Sequence, residues 1–174
     1  MTTRGYSSRR ELEEHSFSPV VTLLVPVVAI LLQALLPRMV PGLMLVDLPL
    51  LVTIFFAVSR RSPIAGALTG AVIGLLQDAL TGQPIGVNGL AKTVIGYICA
   101  SIGVRIDVDA LPTRLLITFL FSLLNGVLLF GIVRHLVGIR VEHLLWRHEL
   151  LRAGLNTAVG VPFFYLLDRA RRPV

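Results

Sequence analysis

Charge is what this sequence has least of. Only 15% of its 174 residues are Asp, Glu, Lys or Arg, against about 25% in an average soluble domain. Hydrophobic types reach 55% and mean hydropathy is +0.81. A soluble core of this size cannot hide that much apolar surface, and a disordered chain would be poor in it. A single cysteine excludes an intramolecular disulfide framework. It sits among Ile98, Ala100 and Ile102, where a thiol stays protonated and inert. The phosphate-binding pattern G-x-x-x-x-G-K-[ST] is absent, and no nucleophile stands beside a base. Basic residues outnumber acidic ones 16 to 10. They are few and lie between apolar runs, so they read as topology signals and lipid-headgroup contacts rather than a nucleic-acid surface.

Long apolar runs are what the chain does have. About 20 mainly apolar residues cross a bilayer as a helix, and six runs qualify, at 19–36, 43–58, 63–80, 85–104, 113–137 and 150–167. None alternates as an outer-membrane strand does. The expected architecture is an all-α integral membrane protein with six transmembrane helices over 19–167. Residues 1–18 form a polar cytoplasmic tail and 168–174 a basic cytoplasmic one. The first run is longer than a signal-peptide core and has no clear A-x-A site, so it reads as an uncleaved span. With the N-terminus in the cytoplasm, ten arginines face inside and five outside, with Lys92 within a span. This bias places both termini in the cytoplasm. The segment 134–152, RHLVGIRVEHLLWRHELLR, dissents. It suits an outer interfacial helix anchored by Trp146, and it is also a plausible partner surface.

Three features carry the search for a site. The third run has Gly66, Gly70 and Gly74 at four-residue spacing, with Asp78 in the same register. They share one helix face, and small residues there let a second helix approach closely. The spacing leaves open whether that helix belongs to this chain or to a partner. Polar residues inside the runs are the second feature. Asp47, Asp78, Asn88 and Lys92, with Gln33 and Asn156, all fall in the outer half of the bilayer in this topology. Lys92 lies about 10 Å deep at 1.5 Å per residue and needs a partner or water. The short turn Thr81-Gly82-Gln83-Pro84 makes an antiparallel hairpin, so Asp78 is the expected counter-charge. A simpler reading stands beside this one: Asp47 before Leu48-Pro49 fits a helix N-cap, Asp78 reaches the headgroups, and Lys92 snorkels. Asn125, midway along the fifth run, fits a hydrogen bond to a neighbouring helix. The third feature is His135, His143 and His148, which lack the i, i+4 spacing of a helical metal site. No cofactor or metal is expected.

Residues 46–104, VDLPLLVTIFFAVSRRSPIAGALTGAVIGLLQDALTGQPIGVNGLAKTVIGYICASIGV, resemble the rod shape-determining protein MreD family. The shared pattern runs from an acidic residue before a leucine-rich span (Asp47) to a basic turn (Arg60, Arg61). A G-x-x-x-G-x-x-x-G-L-x-x-D helix follows (Gly66, Gly70, Gly74, Leu75, Asp78), then a G-x-P-x-G turn (Gly82, Pro84, Gly86), Gly89, and a span with Gly96-Tyr97. The resemblance implies a non-enzymatic scaffold of the cell-elongation complex in the bacterial inner membrane. It implies binding to MreC and linkage to MreB and the RodA–penicillin-binding-protein synthase, and so a role in lateral peptidoglycan synthesis and rod shape. It also implies a bundle similar to the S-components of vitamin transporters. The alternative class is therefore a small-molecule-binding membrane protein of that type, against which Ala29 and Ala34 are five apart rather than in an A-x-x-x-A motif.

Overall fold

The structure, a computed structural model, describes residues 19–39, 45–104, 110–138 and 145–169. Six α-helices are found among them: α1 (Pro19–Met39), α2 (Leu48–Arg60), α3 (Pro63–Thr81), α4 (Val87–Gly103), α5 (Leu111–Ile132) and α6 (Trp146–Arg169). A π-helical turn, Val133–Val137, continues α5.

The bundle is built around α2. This helix packs against each of the other five, and every residue from Pro49 to Ser59 is buried. Its sequence explains the position, since LPLLVTIFFAV is apolar on all faces, the pattern of a helix with no wet side. Leu50, Leu51, Ile54 and Phe56 form the centre of the core, which Ile30 of α1, Ile73 of α3, Ile95 of α4, Phe121 of α5 and Phe164 of α6 complete. The surrounding helices turn apolar side chains outward, among them Leu23 and Leu24 of α1 and Ile64, Leu68 and Val72 of α3. By length and composition, three helices are fit to cross a membrane: Pro63–Thr81, Leu111–Val137 and Trp146–Arg169. The apolar stretches Val20–Leu35, Leu48–Arg60 and Val87–Gly103 are shorter.

Most boundaries shift by one to three residues, and two helix starts differ by more. The second run was expected to be helical over 43–58, but α2 starts at Leu48, because the Asp47 side chain accepts from Leu50 N and Pro49 occupies the first turn. The last run was expected over 150–167, but α6 starts four residues earlier, at Trp146, and reaches Arg169. Trp146 therefore opens α6, 60% exposed, instead of lying in a separate interfacial helix. Residues 139–144 of that outer segment, His143 among them, lie outside the described residues, as do 1–18 and 170–174.

Gly66, Gly70 and Gly74 meet α4. A Cβ on Gly70 would sit 2.6 Å from the carbonyl carbon of Lys92, and one on Gly74 the same distance from that of Asn88. A Cβ on Gly66 would overlap the Gly96 carbonyl and lie 2.8 Å from Ala100 Cβ. Real side chains do not come that near to backbone, so only glycine permits this approach. The connection between α3 and α4 passes through Gly82 (φ 70°) and Gly86 (φ 103°), left-handed positions that favour glycine.

Candidate functional site: a buried polar cluster at one end of the bundle

The first residues of α2 open the cluster. A helix start leaves backbone N–H groups without intrahelical partners, and here three side chains supply them. Asp47 Oδ1 accepts from Leu50 N at 3.0 Å. Leu48 N donates to Gln33 Oε1 of α1 at 3.0 Å. Asp47 N donates to Asn156 Oδ1 of α6 at 2.8 Å. Asp47 and Asn156 are both buried, and Gln33 is half-buried.

The other carboxylate oxygen of Asp47 gathers cations. Lys92 Nζ donates to Oδ2 at 3.0 Å, with both side chains almost wholly inaccessible. Arg152 Nη2 lies 3.4 Å from the same oxygen, and Asn125 Nδ2 3.5 Å. Lys92 also donates to Asn88 Oδ1, one turn earlier on α4, at 3.0 Å. A buried charge is tolerable only when paired and hydrogen-bonded, and these contacts meet that condition.

The expected pairing of Lys92 with Asp78 is thus corrected: its partner is Asp47. Asp78 is engaged elsewhere. It accepts from Gly86 N at 2.9 Å, Asn88 N at 3.1 Å, Gly89 N at 3.2 Å and Asn88 Nδ2 at 2.8 Å. The N-cap of α4 is Gly86, which has no side chain to cap with, and the neighbouring helix supplies the carboxylate. A negative charge at a helix N-terminus meets both free N–H groups and the positive end of the helix dipole.

Asn88 joins the two halves, donating to Asp78 and accepting from Lys92. The structure thus brings Asp47, Asp78, Asn88 and Lys92 together, along with Gln33, Asn125 and Asn156. Every helix contributes. Arg152 was read only as an outer-side topology signal, yet it reaches Asp47. Its spacing from Asn156, four residues on the same helix, is the signal that would have found it.

Two carboxylates and two cations balance in charge, and each carboxylate organises the start of a helix. The arrangement ties six helices together at one end. Around it, Asn125 Oδ1, Asn156 Nδ2, Gln77 Oε1, Ser122 Oγ and Glu149 Oε2 are buried without a hydrogen-bond partner among the described residues. Glu149 packs against Gly126 of α5, and His148 Nδ1 lies 3.5 Å from its other oxygen. Among the described residues no group of three or more His, Cys, Asp or Glu is placed to hold a metal ion. At the opposite end of the bundle, Arg114 of α5 pairs with Asp168 of α6.

Comparison with known families decides the affiliation. Residues 15–170 match the family model described as rod shape-determining protein MreD. The chain belongs to the MreD family. The match extends well beyond 46–104, where the motifs lie, into the first and last helices. It assigns the protein a part in determining cell shape, in a family of membrane proteins. Among curated proteins and solved structures, none matches the chain.

Proposed function

We propose that this protein is a non-enzymatic scaffold of the rod complex in the bacterial inner membrane. All six helices cross the bilayer, and both termini lie in the cytoplasm. Its six helices form a single transmembrane domain, similar to an S-component bundle. The family match over 15–170 carries the reading. The cluster supports the topology, because its members come from the C-terminal halves of α1, α3 and α5 and the N-terminal parts of α2, α4 and α6. Those ends meet on one side only if successive helices run in alternating directions. With the N-terminus inside, that side is the outer one. Arg60, Arg61, Arg114 and Arg169 then lie at the inner side, as the positive-inside rule requires.

In this role the protein binds MreC, a single-span partner with a large periplasmic part, and through it acts with MreB and the RodA–penicillin-binding-protein synthase. The work is done by differential binding, in which the partner conformation that fits the bundle becomes more populated. Gly66, Gly70 and Gly74 serve α3–α4 packing, and the exposed Trp146 end of α6 is the surface offered to the partner. Purifying the tagged protein from its own membranes in a mild detergent and identifying retained proteins by mass spectrometry tests this. The expected result is a stoichiometric single-span protein with a large periplasmic domain. Recovery of ATPase subunits without such a partner overturns it.

A further inference from the structure

Beside the cluster, at the same end of the bundle, a cavity of about 500 Å³ opens between α1, α3, α4, α5 and α6. Small-molecule sites occupy roughly 300–1,000 Å³. Amide side chains line much of it, from Gln33, Gln77, Gln83 and Asn88. Arg152 is the charged residue among its described lining. Its guanidinium carries five N–H donors, of which Nη2 is directed to Asp47. The cavity wall therefore presents one cation amid neutral amides, and a guanidinium fork matches phosphate geometry.

Gln77 adds an independent observation. It is 7% exposed, it lines the cavity, and its Oε1 has no hydrogen-bond partner. An acceptor left unmade inside a protein is costly, and a turn of the Gln77 side chain toward the adjoining cavity lets an occupant's O–H or N–H satisfy it. Leu80, Leu129 and Val133 are among the residues that add apolar surface to the lining.

We propose that this cavity binds a phosphate ester carrying free hydroxyl groups, with Arg152 on the phosphate and Gln77 accepting from a hydroxyl. Two sources share that chemistry, an anionic glycerophospholipid headgroup and a free glycerol phosphate. The apolar lining favours the lipid. Binding here is separate from partner recognition and stands whether or not MreC is the partner.

Native mass spectrometry of the delipidated full chain, with thermal unfolding in parallel, tests it. The probes are phosphatidylglycerol, phosphatidylmethanol (the same charge without hydroxyls), phosphatidylcholine and sn-glycerol 3-phosphate. Phosphatidylglycerol is expected to be retained about tenfold better than phosphatidylcholine, which has the same phosphate but lacks the hydroxyls for Gln77 and sets a trimethylammonium near Arg152. Phosphatidylmethanol should fall between them. Gln77→Leu should reduce phosphatidylglycerol to the phosphatidylmethanol level, and Arg152→Gln should weaken retention of all three lipids. Arg152 also touches Asp47, so Gln83→Leu, in the exposed turn, provides a variant outside the cluster, with weakened phosphatidylglycerol binding expected. Stabilisation by glycerol phosphate equal to that by the lipid supports the site with a soluble ligand. Equal retention of phosphatidylglycerol and phosphatidylcholine by the parent protein overturns the proposal, as does undiminished binding in folded Gln77→Leu and Gln83→Leu.

Discussion

The α3–α4 hairpin and the α5–α6 pair solve the same problem, two long helices side by side, in opposite ways. In the hairpin, glycines bring backbone against backbone, and the buried charges of Asp78 and Lys92 have hydrogen-bond partners. In the pair, side chains stand between the helices, as Glu149 does against Gly126. Asn125, Ser122, Glu149 and Asn156 each keep a buried polar atom unpartnered. A π-helical turn and Pro162 interrupt regular α geometry there. The hairpin leaves one such buried atom among the described residues, Gln77 Oε1. The pair holds unused hydrogen-bonding capacity, which a different arrangement or a bound partner can take up. Regions of low local stability are where binding and rearrangement occur.

Substitutions can break this contrast. The largest effect is expected from Gly70→Leu, whose side chain has no space at the Lys92 backbone. The loss should exceed about 4 kcal/mol, read as failure to recover folded, monodisperse protein. Next is Lys92→Met, which leaves Asp47 Oδ2 with only the longer contacts to Arg152 and Asn125. Breaking a buried pair from one side costs about 3–5 kcal/mol, measurable by chemical unfolding in detergent. A double-mutant cycle sharpens the assignment. Asp47→Asn should couple strongly to Lys92→Met, whereas Asp78→Asn and Lys92→Met should come closer to adding. Strong coupling for the second combination alone would return Asp78 as the counter-charge.

The α5–α6 pair should be forgiving. Asn125→Leu removes a long contact to Asp47 together with an orphan oxygen, so its cost should stay near the roughly 0.6 kcal/mol typical of interhelical hydrogen bonds in membranes. Gly154→Ala is the smallest. Nothing lies within 4 Å of the added Cβ, and a change within about 0.5 kcal/mol is expected. Thermal unfolding of Gly70→Ala beside Gly154→Ala would compare the two regions with one chemical change.

Hydropathy alone located all six helices, because the apolar runs are separated by Gly, Pro and Arg. It missed the start of α2, since residues 43–46 are as apolar as the helix and only the capping chemistry of Asp47 and Pro49 marks the boundary. That chemistry was legible as an N-cap signal. The membership of the cluster was legible too, because polar residues in apolar runs are conspicuous. The pairing was not. Proximity along the chain favours Asp78 for Lys92, but the first-turn N–H groups of α4 occupy Asp78, and Lys92 lies a turn deeper, facing α2. The central place of α2 was visible only as a sequence apolar on every face, a signal that sets burial without naming neighbours.

The brevity of α2 has a consequence for biogenesis. Its 13 residues rise about 20 Å, some 10 Å short of the roughly 30 Å hydrocarbon core. In the six-span arrangement it cannot stand alone in lipid as a self-sufficient span. The partner of its Asp47 N–H is Asn156, 109 residues later in the chain. Translation delivers the central helix second and its last hydrogen-bond acceptor with the sixth. Until α6 emerges, the flank of α2 that it packs against stays uncovered and the Asp47 N–H waits for its acceptor.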